Sequence, residues 1–194
     1  MPFEIRRIIQ VAEFISPDAA TWLRNIDRSE DVYRLRPHSL LDTVVVAARD
    51  AWPFYQQHHA YVCQPGRWFQ PVDRIAFYAD QEIKAEVPRI LHRRDNVPWT
   101  DHEEAALRAS SDRMDRKISA VIAASRTAGW TGGAYQVFLL SRRGDEAHRT
   151  LARPLRHQTG GRGIAFVQRQ RYVSLPGLET ASTTDDLQRP SVEG

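Results

Sequence analysis

From His59 onward the hydrophobic pattern of this chain switches to a period of two, and that switch limits the fold more than any other feature. A period of two sends alternate side chains to opposite faces of a strand. The pattern turns helical for one long segment, residues 101–127, and then returns to short strands. Strands gathered in the middle and end of the chain, with helices beside them, make an α+β domain. A doubly wound sheet would need strand and helix to alternate along the chain, and they do not.

The N-terminal third reads differently. Residues 3–14 are apolar enough to begin as a strand. Ser16-Pro17-Asp18 is a helix start, with Pro in the first turn, and the helix after it would bury Ala19, Trp22, Leu23 and Ile26. Residues 40–55 carry Leu41, Val44, Val45, Ala48 and Trp52 at helical spacing up to the breaker Pro53. They read as a helix, although the run Val44-Val45-Val46 would also suit a strand. Further on, 60–63 is a short strand and Pro65-Gly66 a turn. Residues 74–78 and 82–91 form a hairpin through Asp80-Gln81, with Ile83, Ala85 and Val87 on one side and Glu82, Lys84 and Glu86 on the other. Asn96-Val97-Pro98 ends it. Thr100 and Glu103 have capping-box spacing and open the long helix. Its stripe is Leu107, Met114, Ile118, Val121 and Ile122, and Gly129 stops it. Strands follow at 135–140, 151–156, 164–167 and 172–175. The domain is expected to span 1–180, with 181–194 a polar tail or linker stub that frays.

Composition narrows the function classes. A chain of 194 residues can bury a core without disulfides, and the one cysteine, Cys63, excludes an internal disulfide and a cysteine zinc site. No stretch approaches the roughly 20 apolar residues that span a bilayer, and nothing at the N-terminus has signal-peptide form. A soluble, cytoplasmic protein without membrane partners is the expectation. The net charge is +3, and of 27 basic residues only Lys84 and Lys117 are lysine. Residues 141–171 hold eight arginines against two acidic residues, while every other long segment is near neutral or acidic. One local basic stretch is the electrostatic footprint of polyanion binding.

The segments Tyr61-Val62-Cys63, then Val72-Asp73-Arg74-Ile75-Ala76-Phe77-Tyr78, then Ile83-Lys84-Ala85-Glu86-Val87-Pro88-Arg89-Ile90 resemble the middle of a PUA-like barrel. That superfamily includes the PUA, ASCH, EVE and YTH domains. The run Phe166-Val167-Gln168, Arg171 to Leu175 and Leu178 resembles its closing strand and short helix. The Gly-x-Lys start of ASCH enzymes and the N-terminal signature of EVE domains are not present. The resemblance implies a small, partly closed, mostly antiparallel β-barrel with surrounding helices that reads nucleic acid. Some members hold a flipped-out base among aromatic rings.

A flipped base needs flat apolar faces and donors or acceptors for its edge. Trp68 and Trp99 fall in loops flanking the hairpin, beside Arg67 and the pair Arg93-Arg94. With Tyr78 they are the candidate base-binding residues, although two tryptophans capping the ends of a barrel would look the same. Trp22 and Trp52 sit on apolar helix faces and read as core. The candidate phosphate ligands are Arg67, Arg94, Arg142, Arg143, Arg156, Arg162, Arg169 and Arg171, because guanidinium binds phosphate bidentately. The loop Thr159-Gly160-Gly161-Arg162-Gly163 would let backbone N–H groups approach a phosphate, but no Gly-Lys-Ser/Thr follows, so it is not a P-loop. The histidines lack ligand spacing, and neither a metal nor a cofactor is expected. Cys63 reads as a buried structural thiol.

One enzyme reading stands beside this. Pro71-Val72-Asp73 followed by Glu82-Ile83-Lys84 resembles a PD-(D/E)xK nuclease core, in which Asp73 and Glu82 would hold a divalent metal and Lys84 would help activate water. A third reading is a protein-interaction adaptor. The leading expectation is a binding module for DNA or RNA, with an effector domain or partner protein implied and no catalytic residues.

Overall fold

The computed structural model describes residues 41–130, 133–158, 166–167 and 170–188. All lie within Leu40–Gly194, the second of two units into which the chain divides. The expected strand at 3–14 and helix after Ser16 fall outside the described residues.

The chain enters the described part as a strand, β1 (Thr43–Ala47). This corrects the helix expected over 40–55. Val44, Val45 and Val46 are each fully buried. Stiff β-branched side chains favour the extended chain, and a strand covered on both faces loses its alternation and reads as a continuous apolar run. A helix does follow, α1 (Ala51–His58), and Pro53 sits in its first turn rather than breaking it. First-turn N–H groups have no intrahelical acceptor, so proline costs nothing there. The helix ends at His59, whose φ of 52° lets its N–H reach the carbonyl of Tyr55.

β2 (Ala60–Cys63) and β3 (Arg74–Ala79) come next. Asp80 and Gln81, at φ 53° and 59°, make a tight turn into β4 (Glu82–Ile83). Two central residues with positive φ are the geometry whose twist suits a hairpin. The single strand expected over 82–91 is broken into β4, β5 (Glu86–Val87) and the start of β6 (Ile90–Pro98). Ile83 and Val87 are buried and Ala85 packs beside them, so the predicted apolar side is the buried one. β6 passes Asn96 in a bulge and continues to Pro98.

The long helix predicted for 101–127 is two helices, α2 (Asp101–Ala109) and α3 (Arg113–Thr127). Thr100 caps the first, accepting from the N–H of Glu103 at 3.1 Å. Ser110-Ser111-Asp112 separates them, and Asp112 caps the second through the N–H of Met114 at 2.7 Å. Ser and Asp compete with helical hydrogen bonds and favour caps, which is why the stripe continues while the helix does not. After β7 (Ala134–Leu140), the strand expected over 151–156 is replaced by two short pieces, β8 (Arg149–Thr150) and β9 (Leu155–Arg156). β10 (Gln170–Val173) and α4 (Leu175–Thr180) close the order. Of the tail expected to fray, Thr184–Gln188 forms a 3-10 turn with Thr184 fully buried and Leu187 against the core. Residues 164–165 of the expected strand 164–167 are outside the description, and Phe166 and Val167 are buried but not in a strand.

The strands join as β10-β1-β3-β4-β9 and β2-β7-β6, with a β5-β8 pair between. The N–H of Ile75 bonds the carbonyl of Pro88 at 3.1 Å, and that of Ile90 bonds Asp73 at 2.8 Å, so residues 82–90 carry the first sheet into the second. The result is a curled, mostly antiparallel half-barrel, with β1–β3 parallel. Among the described residues, backbone hydrogen bonds do not close it. Val44, Val46, Ile75 and Phe77 from one sheet meet Tyr61, Phe138 and Leu140 from the other across the inner core. Val45, Ala76 and Val173 face outward onto Leu155, Phe166 and Leu178. Val62, Val137 and Leu139 face outward onto α2 and α3.

Candidate functional site

β2 and β10 are edge strands of the two sheets, and side chains bridge the seam between them. Residues 64–72 leave β2 and run along it. Gly66, at φ 68°, makes the turn read from Pro65-Gly66, and its N–H donates to the Asp95 carboxylate at 3.0 Å. Arg67 then spans the seam: its Nη1 donates to the Tyr61 hydroxyl on β2 at 2.8 Å and its Nε to Gln170 Oε1 on β10 at 3.1 Å. Gln170 Nε2 donates at 2.8 Å both to the carbonyl of Trp68 and to the Tyr172 hydroxyl. That hydroxyl also accepts from the N–H of Gln70 at 3.0 Å.

The loop is thus fixed on both sides, yet Trp68 in its middle is 65% exposed. The next residue, Phe69, turns inward. Its ring lies 5.0 Å from the Arg67 guanidinium, 5.6 Å from that of Arg93, and edge-on to Phe138 at 5.1 Å. Beneath it, the Cys63 thiol donates to Gln136 Oε1 at 3.5 Å. Burial pushes this thiol up to about 11, against the pull of Arg67 and Arg93, so it stays protonated at neutral pH. Burial likewise raises the Tyr61 hydroxyl well above its ordinary value. A polar thread therefore runs from fully buried Gln136 through Cys63 and Tyr61 to Arg67 and Gln170 at the surface.

The three aromatic residues expected to share a base do not converge. Trp68 stands at the seam. Tyr78 lies on the opposite face of the five-stranded sheet, 5.8 Å from the His157 ring and 5.9 Å from Phe166. Trp99 is 3% exposed in the helical layer, its indole N–H donating to Ser125 Oγ at 2.9 Å. Its partners, Ser125 on α3 and the Tyr135 ring on β7 at 4.8 Å, come from later in the chain, so the local sequence disguised a core residue. Trp52 is half-buried against Tyr55 and Phe77, as expected of an apolar helix face.

The arginines are dispersed. Arg67 is in the seam, and Arg94 pairs with Asp115. Arg142 and Arg143 are exposed in the turn after β7. Arg156 is exposed on β9 and Arg171 sits on β10, at opposite edges of the five-stranded sheet. Arg171 stacks over Phe166 at 4.4 Å. Arg162 and Arg169 lie outside the described residues.

The nuclease triad is also split. Asp73 precedes β3, whereas Glu82 pairs with Ala79 at its far end. Six strand positions put them on the order of 20 Å apart. Lys84 bonds Glu82 at 2.8 Å and Asp80 at 2.9 Å, on the Glu82 side alone. Among the described residues no group of three His, Cys, Asp or Glu side chains is placed to hold a metal ion.

A second polar cluster lies where α1 meets the end of β7. The Tyr55 hydroxyl donates to the carbonyl of Ser141 at 3.2 Å, and Ser141 Oγ accepts from the N–H of Arg89 at 2.8 Å. His148 Nδ1 is 3.4 Å from the same Oγ. Burial first, and then nearby arginines, hold His59 and His148 below the ordinary imidazole range.

Gln136, Gln170 and Phe69 were not singled out from the sequence, and Arg93 was named as the neighbour of Arg94 but not as a ligand. The available signal was Gln136, a polar residue inside the apolar strand Tyr135–Leu140. Comparison of the chain with family models, with curated proteins and with solved structures gives no match.

Proposed function

We propose that this domain binds single-stranded nucleic acid, or an unpaired stretch within a duplex, along the seam between β2 and β10. The observation that carries this is Trp68. A large aromatic ring is normally well buried, and here it is displayed on a loop held at both sides. The guanidiniums of Arg67 and Arg93 lie against the ring of the next residue, Phe69. A base stacking on an exposed ring gains about 1–3 kcal/mol, and such stacking requires an unpaired face. Fixing the loop in advance lowers the ordering cost of binding.

The curled, open half-barrel supports a place among PUA-like domains, whose members use a barrel of this kind to hold nucleic acid. The site here uses one exposed tryptophan with arginines around it rather than a cage of Trp68, Tyr78 and Trp99. The exposed Arg142, Arg143 and Arg156 lie away from the seam and add to the positive field that draws a polyanion to the domain. The separation of Asp73 from Glu82 gives no support to metal-dependent cleavage.

The test is fluorescence anisotropy with matched single- and double-stranded DNA and RNA at two salt concentrations. Single strands are expected to bind more tightly than duplexes. The logarithm of affinity should fall with the logarithm of salt by about 0.7 per phosphate engaged. Equal or stronger binding to fully paired duplex would overturn the assignment to the seam.

A further inference from the structure

Gln136 is fully buried in the inner core, and its Nε2 has no hydrogen-bond partner among the described residues. Buried amides are almost always paired, because an unmade hydrogen bond keeps its whole desolvation cost. The amide is not free to turn at random. The Cys63 thiol is protonated and donates to Oε1, which leaves both N–H donors of Nε2 for another acceptor.

What surrounds this donor indicates the acceptor. Gln136 and Phe138 lie two residues apart on one face of β7, so the amide flanks the edge-to-face pair of Phe138 and Phe69. The Phe69 ring has guanidiniums of Arg67 and Arg93 near its faces at 5.0 and 5.6 Å. This is a slot for a flat ring, with cationic planes beside it and a donor at its base. Phe69 belongs to the same 64–72 loop, and the hydrogen bonds from it to β10 among the described residues each use a side chain. The ring in the slot therefore belongs to a segment that no sheet ladder holds, so its side chain can turn out while the hydrogen bonds of Arg67 and Trp68 stay in place.

We propose that Gln136 sets the specificity of the seam, donating from Nε2 to a carbonyl oxygen of a planar heterocyclic base that takes the place of the Phe69 ring. The inference rests on the nucleic-acid reading and narrows it to bases that present an oxo group where their counterparts carry an amine. A site with unpaired buried donors rejects a ligand that offers only another donor.

The experiment measures binding of fluorescein-labelled single-stranded decamers to the full chain. The decamers differ at one central position, uracil against cytosine or hypoxanthine against adenine, so charge and length are constant. The intact protein should favour the oxo base by about tenfold, the usual effect of one well-placed base contact. Gln136→Met keeps the length of the side chain and removes its donors. It should erase the preference, retain the dependence on Trp68, and unfold a few degrees higher. If the intact protein binds without preference or favours the amine, the inference is overturned and general binding at the seam still stands. The same holds if Gln136→Met keeps the preference or unfolds lower. A variant that does not fold counts as unfolding lower, and the comparison within the intact protein tests the base preference without it. If no decamer binds, both this inference and the nucleic-acid reading are overturned.

Discussion

Replacing Arg67 with Met tests whether side chains hold the half-barrel together where its backbone ladder is open. Met keeps much of the aliphatic stem and removes the guanidinium. Two hydrogen bonds disappear, to Tyr61 at 2.8 Å and to Gln170 at 3.1 Å. Bonds to charged groups contribute about 1.5–3 kcal/mol each, and the partial exposure of Arg67 places these at or below the lower limit. The stack of Arg67 on Phe69 adds about 0.5–1 kcal/mol. The Tyr61 hydroxyl, on a residue only 3% exposed, also loses its donor. The sum is a loss of about 2–3 kcal/mol. At about 2–4 °C per kcal/mol for a domain of this size, Tm should fall by about 5–10 °C. Urea unfolding followed by far-UV circular dichroism measures it, with Gln170→Leu and the double variant completing a cycle. Residues sharing one network are non-additive, so the double variant should cost at least 0.5 kcal/mol less than the sum of the singles, on the order of the usual coupling. A loss below about 0.5 kcal/mol for Arg67→Met, or strict additivity, would refute the claim that this network closes the seam.

Two further outcomes follow from the same structure. Trp99→Phe should cost about 1–2 kcal/mol, because Ser125 loses the indole N–H and the core loses volume, yet leave nucleic-acid affinity within twofold, on the order of experimental error; a large loss of affinity would return Trp99 to the binding site. Stability should also decline as pH falls from 7.5 to 5.5. His59 and His148 have folded-state values below 6.5, so the unfolded chain takes up protons in this range before the folded one does. Their contribution is complete above 6.5 and is lost below it, and a urea midpoint that stays constant across the interval would contradict the burial of neutral imidazoles.

Local chemistry made much of the fold legible. The Asp80-Gln81 turn, the capping residue Thr100 and the inward set Ile83, Ala85 and Val87 act over a few residues, and each lies where the pattern put it. The misread elements are those decided by distant contacts. Val44 to Val46 form a strand because a sheet neighbour on each side and a core on each face cover them, which no helical periodicity can reveal. The helix pair over 101–127 carries one continuous stripe, and only the capping habit of Ser110 to Asp112 marks the break. At the site, Arg67 and Trp68 were visible because an aromatic beside an arginine in a polar loop has no obvious core to join. Gln136 and Gln170 were not, because their partners Cys63 and Arg67 are 73 and 103 residues away. Trp99 misled for the same reason, lying between a Pro and a helix cap while its partners Ser125 and Tyr135 come from α3 and β7.

Binding of a labelled single-stranded oligonucleotide to the intact protein and to Trp68→Ala, at low and moderate salt, tests the central claim most directly. Trp68 is exposed, so its removal should leave Tm within about 1–2 °C, as for surface substitutions generally. Loss of one stacking contact should weaken binding by about 10- to 100-fold at both salt concentrations, because stacking, unlike phosphate contact, does not depend on released counterions. Unchanged affinity in Trp68→Ala would contradict a stacking platform at the seam and move any nucleic-acid binding to the dispersed arginines elsewhere on the surface.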